Sequence, residues 1–279
     1  INVNDLYLGK KKRGKTPTLI QNDLKERLQE QFTRRVIVGK TSGVYDPLGL
    51  LVPFTARYKL HLSELSVYKL DWDDSIPEKY LDRWVSNIEE MQTLGKYYFS
   101  RSVIPADAAN LDLSYIVSCD ASQEICICTV HSRVLKRDGT YHVQILTAKS
   151  KIVTKLTIPR AEMKGAVIAS ALAFNVKQDT GDRLGQVIYV TDSSIVLYWL
   201  KQDQRPLQTG VRNAVLEVRR LTELESWYHV SSADNVADIG TRSDIPVDVG
   251  LDSEWTSGKP WMSWKFDEMP LRSVEQITL

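Results

Sequence analysis

The chain has 279 residues, 43% hydrophobic and 25% charged, which is enough to bury a substantial core in about one and a half to two domains. A net charge of +1 neither demands nor excludes a polyanionic partner. No apolar stretch approaches the roughly 20 residues that span a bilayer, and Ile1-Asn2-Val3-Asn4 is not a signal peptide, so no membrane role is expected and an intracellular location is. The absence of an initial methionine suggests a fragment or processed product.

The first charge block is Lys10-Lys11-Lys12-Arg13-Gly14-Lys15, which reads as a nucleic-acid contact, a nuclear-import signal or a solvated loop. Helices follow. Leu24, Leu28 and Phe32 share one helical face, and Phe54 to about Tyr68 forms a second helix after Pro53. Ser75-Ile76-Pro77-Glu78 has the spacing of a capping box, ahead of an apolar stripe of Leu81, Trp84, Ile88 and Met91. This helix-rich part is set at 1–98. Lys96 to Ala109 has no clear period, and a linker is set at 99–110.

Leu111 to Cys119 alternates apolar and polar residues, the period of a strand, so Asp120 stands at a strand end. Strands are expected at Ile125 to Ser132 and Tyr141 to Ala148, with Asp138-Gly139 as a hairpin turn between them. Pro159 suits a first helical turn, which would include Glu162, and Ala166, Ala169, Ser170 and Ala173 give that helix a slim face. Val187 to Val190 is a buried strand ending in Thr191-Asp192. Helices at about Ser193 to Lys201 and Thr209 to Glu225 precede a last strand, Trp227 to Val230, and Asp238 falls in a C-terminal helix.

That order, with the phrases Ala-Lys-Ser (148 to 150), Leu-Thr-Ile-Pro-Arg-Ala-Glu, Thr-Asp-Ser-Ser-Ile-Val-Leu-Tyr-Trp-Leu and Asp-Asn-Val-Ala-Asp, resembles the ribonuclease H region of BEL/Pao-type LTR retrotransposon Pol polyproteins. Upstream, Gly43 to Leu51 and Leu70 to Asp74 are similar to the segment after the polymerase core, so 1–98 looks like a thumb or connection region. Glu254-Trp255 through Pro260-Trp261 resembles a Trp-rich tail, here 246–279. The resemblance runs over roughly residues 34 to 265 and implies an α/β fold at 111–245, a mixed five-stranded sheet with flanking helices. The polymerase signature, a tyrosine followed one residue on by two aspartates, is absent from this chain.

The resemblance implies a hydrolase for the RNA strand of RNA/DNA hybrids, leaving 3′-hydroxyl and 5′-phosphate ends. Two magnesium ions, or manganese, would be held by Asp120, Glu162, Asp192 and Asp238. Asp120 would bridge them, Asp238 would serve the one activating water, and Glu162 with Asp192 the one beside the leaving group. Clustered like charges predict at least one carboxylate with a raised pKa. Phosphate or 2′-hydroxyl contacts are expected from Ser122, Lys149, Lys151, Arg160, Ser193, Ser194 and Arg212. The polymerase portion of the same polyprotein is an expected partner, in a cytoplasmic particle or the nucleus.

Other residues point elsewhere or nowhere. His229 lies in the last strand rather than in the mobile loop that many ribonucleases H use, so it is read as structural. Cys119, Cys126 and Cys128 lack zinc-spaced partners and read as buried free thiols, with Cys119 facing away from Asp120. Two other functions fit parts of the chain: a catalytically inactive or domesticated nucleic-acid-binding or partner-binding module, and an aspartic peptidase. The second rests on Asp179-Thr180-Gly181, whose flanks place it in a loop rather than after an apolar strand.

Overall fold

The computed structural model describes residues 32–181, 184–203, 205–242 and 247–278, so the basic block Lys10 to Lys15 and the helix expected around Leu24 and Leu28 lie outside it. The chain divides into two compact units, one of 32–47 with Arg57–Phe99, the other of Leu48–Ala56 with 100–278. Residues 100–110 and 247–278, set apart from the sheet domain by the sequence, thus cluster with the sheet, as does Leu48–Ala56, while Phe99 goes with the helices.

The first unit is helical, with α1 (Arg34–Ser42), α2 (Val52–Ser66), which starts in the second unit, and α3 (Leu81–Thr93). Thr33 caps α1 by accepting a hydrogen bond from the Val36 N–H. Tyr58 and Trp84 are fully buried, and the Glu90 carboxylate accepts from the Tyr58 hydroxyl at 2.7 Å and pairs with Arg57 at 2.5 Å. The expected capping box is replaced. Ser75 forms an isolated bridge with Thr33, while Pro77, extended at ψ 136, leads into a 3-10 turn, Glu78–Tyr80, and α3 begins only at Leu81.

The second unit is a mixed sheet flanked by helices, the α/β class expected, in the order β3-β2-β1-β4-β5-β6. The hairpin strands β1 (Leu113–Ala121), β2 (Ile125–Leu135) and β3 (Tyr141–Ile152) form an antiparallel meander, with Gly139 at φ +83 in the turn before β3. Helix α4 (Ile158–Thr180) crosses to β4 (Leu184–Thr191), which lies parallel to β1. Helices α5 (Ser194–Lys201) and α6 (Thr209–Leu221) lead to β5 (Trp227–His229), parallel to β4; α6 ends earlier than its apolar pattern suggested. The sheet has six strands where the sequence indicated five, because β6 (Arg272–Ser273), too short to carry a period, pairs with β5.

Each sheet face has its own core. On one, Tyr115, Val117, Cys119, Cys126 and Cys128 meet Ala161, Ala166, Ala169 and Ala173 of α4. Small side chains bring that helix close: a Cβ at Gly165 would lie 3.6 Å from the Asp120 carbonyl oxygen. The thiols are buried and free as expected, with Cys119 on this face. On the other face Ile116, Ile188 and Val190 meet Val230, Val236, Trp261, Met262 and Met269 of the C-terminal segments. There Arg133 stacks on Tyr141 with its guanidinium 3.3 Å from the ring centroid and donates to the carbonyls of Met262 and Trp264.

The edge of β3 is covered by the Leu48–Leu51 strap. Ala148 N–H and the Thr147 hydroxyl both donate to the Leu48 carbonyl at 2.8 Å, and the Trp255 indole donates to that of Leu50. Gly49, at φ +73, is required here, since a Cβ would stand 1.8 Å from the Ala148 carbonyl oxygen. Among the described residues no helix is long and apolar enough to cross a membrane.

Candidate active site

Strands β1 and β4 run parallel with Ser118 opposite Val190, so two residues further on Asp120 and Asp192 emerge level with each other. Carboxyl ends of parallel strands are where open α/β sheets form their crevices. Glu162 is the fifth residue of α4, one position beyond the first turn expected for it, because the helix starts directly after Thr157. It reaches across to Ser193, whose hydroxyl donates to Glu162 Oε2 at 2.6 Å while accepting the Val196 N–H as cap of α5.

Asp238 opens α7 (Asp238–Thr241), a single turn following the loop from Val230. Gly240 lets α7 lie against the sheet, for a Cβ there would be 2.7 Å from Ile127 Cδ1, and Ile127 is the cross-strand partner of Asp120. Asn235, fully buried, fixes the loop: its amide donates to the Cys119 carbonyl at 3.0 Å and to Asp192 Oδ1 at 3.3 Å, and its oxygen accepts the Ala237 N–H. Ser232 donates to Asp192 Oδ2 at 2.5 Å, Thr241 to Asp120 Oδ2, and Arg242 pairs with Asp238 at 2.6 Å. Ser232, Asn235, Thr241 and Arg242 were not singled out from the sequence. All lie in or beside the Asp238 phrase, and that proximity was the available signal.

Burial, reinforced by the charges of Asp192 and Asp238 and opposed by the Thr241 hydrogen bond, pushes the Asp120 carboxyl up to about 6. Glu162 is also raised, first by burial and then by the charges of Asp192 and Asp120, with Ser193 acting against them. Asp120 thus feels the charges of Asp192 and Asp238, and Glu162 those of Asp192 and Asp120. As they stand, no group of three or more His, Cys, Asp or Glu side chains among the described residues is drawn together tightly enough to hold a metal ion. Each carboxylate is instead turned to a local donor, the arrangement that lowers the cost of like charges without a cation. As a donor set, four carboxylates with hydroxyl and amide neighbours fit a hard divalent cation such as Mg²⁺ or Mn²⁺.

The expected substrate contacts are less uniform. Lys149 and Lys151 are exposed on β3, and Arg160, on the first turn of α4, is exposed and hydrogen-bonded to Gln208. Arg212 on α6 and Ser194, the first residue of α5, are partly exposed. Ser122 closes the turn before β2 by accepting the Glu124 and Ile125 N–H groups, so its hydroxyl is engaged, as is that of Ser193. His229 donates from Nε2 to the Asp192 carbonyl at 3.1 Å and accepts from Arg272 at Nδ1, which ties β5 to β4 and β6. Asp179 and Thr180 end α4 rather than occupying the expected loop, because the helix runs on until Gly181 at φ +59, and the Thr180 hydroxyl bonds to Tyr115.

Nothing among curated proteins matches the chain. Among solved structures it is similar to RNase H1 from Halobacterium salinarum NRC-1, at 18% identity over 45% of this chain and 90% of that one, with a TM-score of 0.30. An N-terminal RNase H domain from Mycobacterium tuberculosis is 12% identical over 47% of this chain and 94% of that one, TM-score 0.31. A foamy viral protease-reverse transcriptase in complex with RNA/DNA hybrid is 13% identical over 68% of this chain but 28% of its own length, TM-score 0.31. Likenesses this distant carry no weight for function. The family model of the Pao retrotransposon-like RNaseH-like domain matches residues 33–193, more than half of the chain and three of the four acids. The chain therefore belongs to the Pao retrotransposon-like RNaseH-like domain family.

Proposed function

We propose that the chain is a ribonuclease of the H type that hydrolyses the RNA strand of an RNA/DNA hybrid, with Asp120, Glu162, Asp192 and Asp238 as its working acids. The observation that carries this reading is the placement of Asp120 and Asp192 level at the ends of parallel strands, with Glu162 joined to the start of α5 through Ser193 and the α7 residue Thr241 bonded to Asp120. Membership of the RNaseH-like family supports it.

Asp120, Glu162 and Asp192 are held by hydroxyls or an amide. Neutral donors orient a carboxylate without cancelling its charge, which leaves that charge for a cation. Two magnesium or manganese ions bound to these acids would supply a nucleophilic water, neutralisation of charge on phosphorus and stabilisation of the leaving oxygen. Asn235 keeps Asp192 and the Asp120 strand in register, and Thr241 orients Asp120 from α7. Burial pushes the Asp120 carboxyl up to about 6, and a bound cation would favour its ionised form. Exposed Lys149, Lys151 and Arg160, with Arg212, are the candidate phosphate contacts, and Ser194 with Ser122 and Ser193 the candidate hydroxyl contacts. The polymerase portion of the same polyprotein is the expected partner.

A second reading, a nucleic-acid-binding module without turnover, is favoured by the spread of the carboxylates in their present positions. A labelled RNA/DNA hybrid incubated with Mg²⁺ or Mn²⁺ separates the two. Cleavage by the wild type that is lost in Asp120→Asn and Asp192→Asn supports the nuclease. Binding of the hybrid with no more cleavage than in those variants would leave only the binding module.

A further inference from the structure

Arg242 differs from the other partners of the acids. Asp120, Glu162 and Asp192 are each met by neutral donors, whereas Asp238 is met by a guanidinium at 2.6 Å, one turn along the chain. The charged nitrogen sits on the outer side: the Arg242 side chain is 52% exposed and that of Asp238 21%. A guanidinium on Oδ2 takes up acceptor capacity and charge that a divalent cation would use at the same carboxylate.

Arg242 also has somewhere to go. It lines, with Asp238, Asp248, Glu254 and Lys259, a cavity of about 530 Å³ on the C-terminal side of the sheet. Glu254 is paired with Lys259 at 2.6 Å, but Asp248 accepts the Gly250 N–H on Oδ1 and, as a carboxylate, retains further acceptor sites. Arg242 itself follows the last residue of α7 in an extended conformation, φ −85 and ψ 94, outside the helical turn.

We infer that Arg242 is an internal stand-in for the cation, neutralising Asp238 while the acids are metal-free and withdrawing into the neighbouring cavity, toward Asp248, when a divalent ion takes its place. The inference rests on the metal reading of the same site. It makes Arg242 a positioning residue that competes with the metal. The rival role, an arginine that orients Asp238 for the metal, has the opposite consequence, because removing it would weaken metal binding.

The test is a titration of the full chain with Mn²⁺ alone, read by electron paramagnetic resonance of the free ion or by calorimetry, with no substrate present. Arg242→Gln is expected to bind Mn²⁺ about two- to five-fold more tightly than the wild type, the scale of a partly exposed ion pair. Arg242→Lys, which keeps the charge but loses the fork, should lie between them. Unchanged or weaker binding by a folded Arg242→Gln overturns the inference and leaves the site intact. Equal binding by the wild type and Asp120→Asn would bring down the metal reading and the inference together.

Discussion

The two faces of the sheet deliver their acids to the site by opposite means. On the α4 face, alanines and a glycine bring a long helix so close to β1 and β2 that Glu162 reaches the strand ends. On the other face there is little regular structure, and large side chains substitute for it: Trp255 and Trp261, the Arg133 clamp and buried His131 hold the segments that carry Asp238 and Thr241. One face positions by closeness, the other by filling. Overpacking should therefore damage the first, and cavities the second.

That contrast can be broken directly. Trp255→Ala should cost about 3–5 kcal/mol, because it empties the space beside Gly240 and removes the indole's hydrogen bond to the Leu50 carbonyl. Ala169→Leu should cost about 1–3 kcal/mol by pushing α4 off the sheet. Chemical denaturation measures both. A tolerated Trp255→Ala would show that the C-terminal face is not held by filling.

A smaller effect separates two titrating groups. His131 donates from Nε2 to the Trp255 carbonyl, and burial lowers its pKa from 6.5 to about 4. Its neutral form is favoured in the fold, so its contribution is present above 6.5 and is lost as pH falls toward 4. Asp120 acts the other way: raised from 3.8 to about 6, it contributes stability that is full below 3.8 and lost as pH rises through 6. Denaturation at a series of pH values should find that His131→Gln flattens the acid-side fall, and that Asp120→Asn steepens it. Identical slopes in the two variants would contradict this assignment.

The meander was legible because Leu113, Tyr115 and Val117 alternate with polar residues and Asp138-Gly139 marks the turn. The slim face of α4 was legible from Ala166, Ala169 and Ala173, and the strand-end positions of Asp120 and Asp192 from the apolar runs before them. Less local features were not. β6 is two residues long and exists through its pairing with Tyr228 and His229. Hydroxyl-to-carboxylate bonds such as Thr241 to Asp120 join residues 121 positions apart, which no period records. The capping box failed for a local reason, the extended backbone at Pro77.

The central claim is that Asp120, Glu162, Asp192 and Asp238 make one metal site. Anomalous diffraction from crystals soaked in Mn²⁺ tests it most directly. The account predicts two neighbouring peaks among these carboxylates, with Asp120 touching both and Arg242 displaced from Asp238. Peaks elsewhere, or none beside these acids at Mn²⁺ concentrations that support hybrid cleavage, would contradict it.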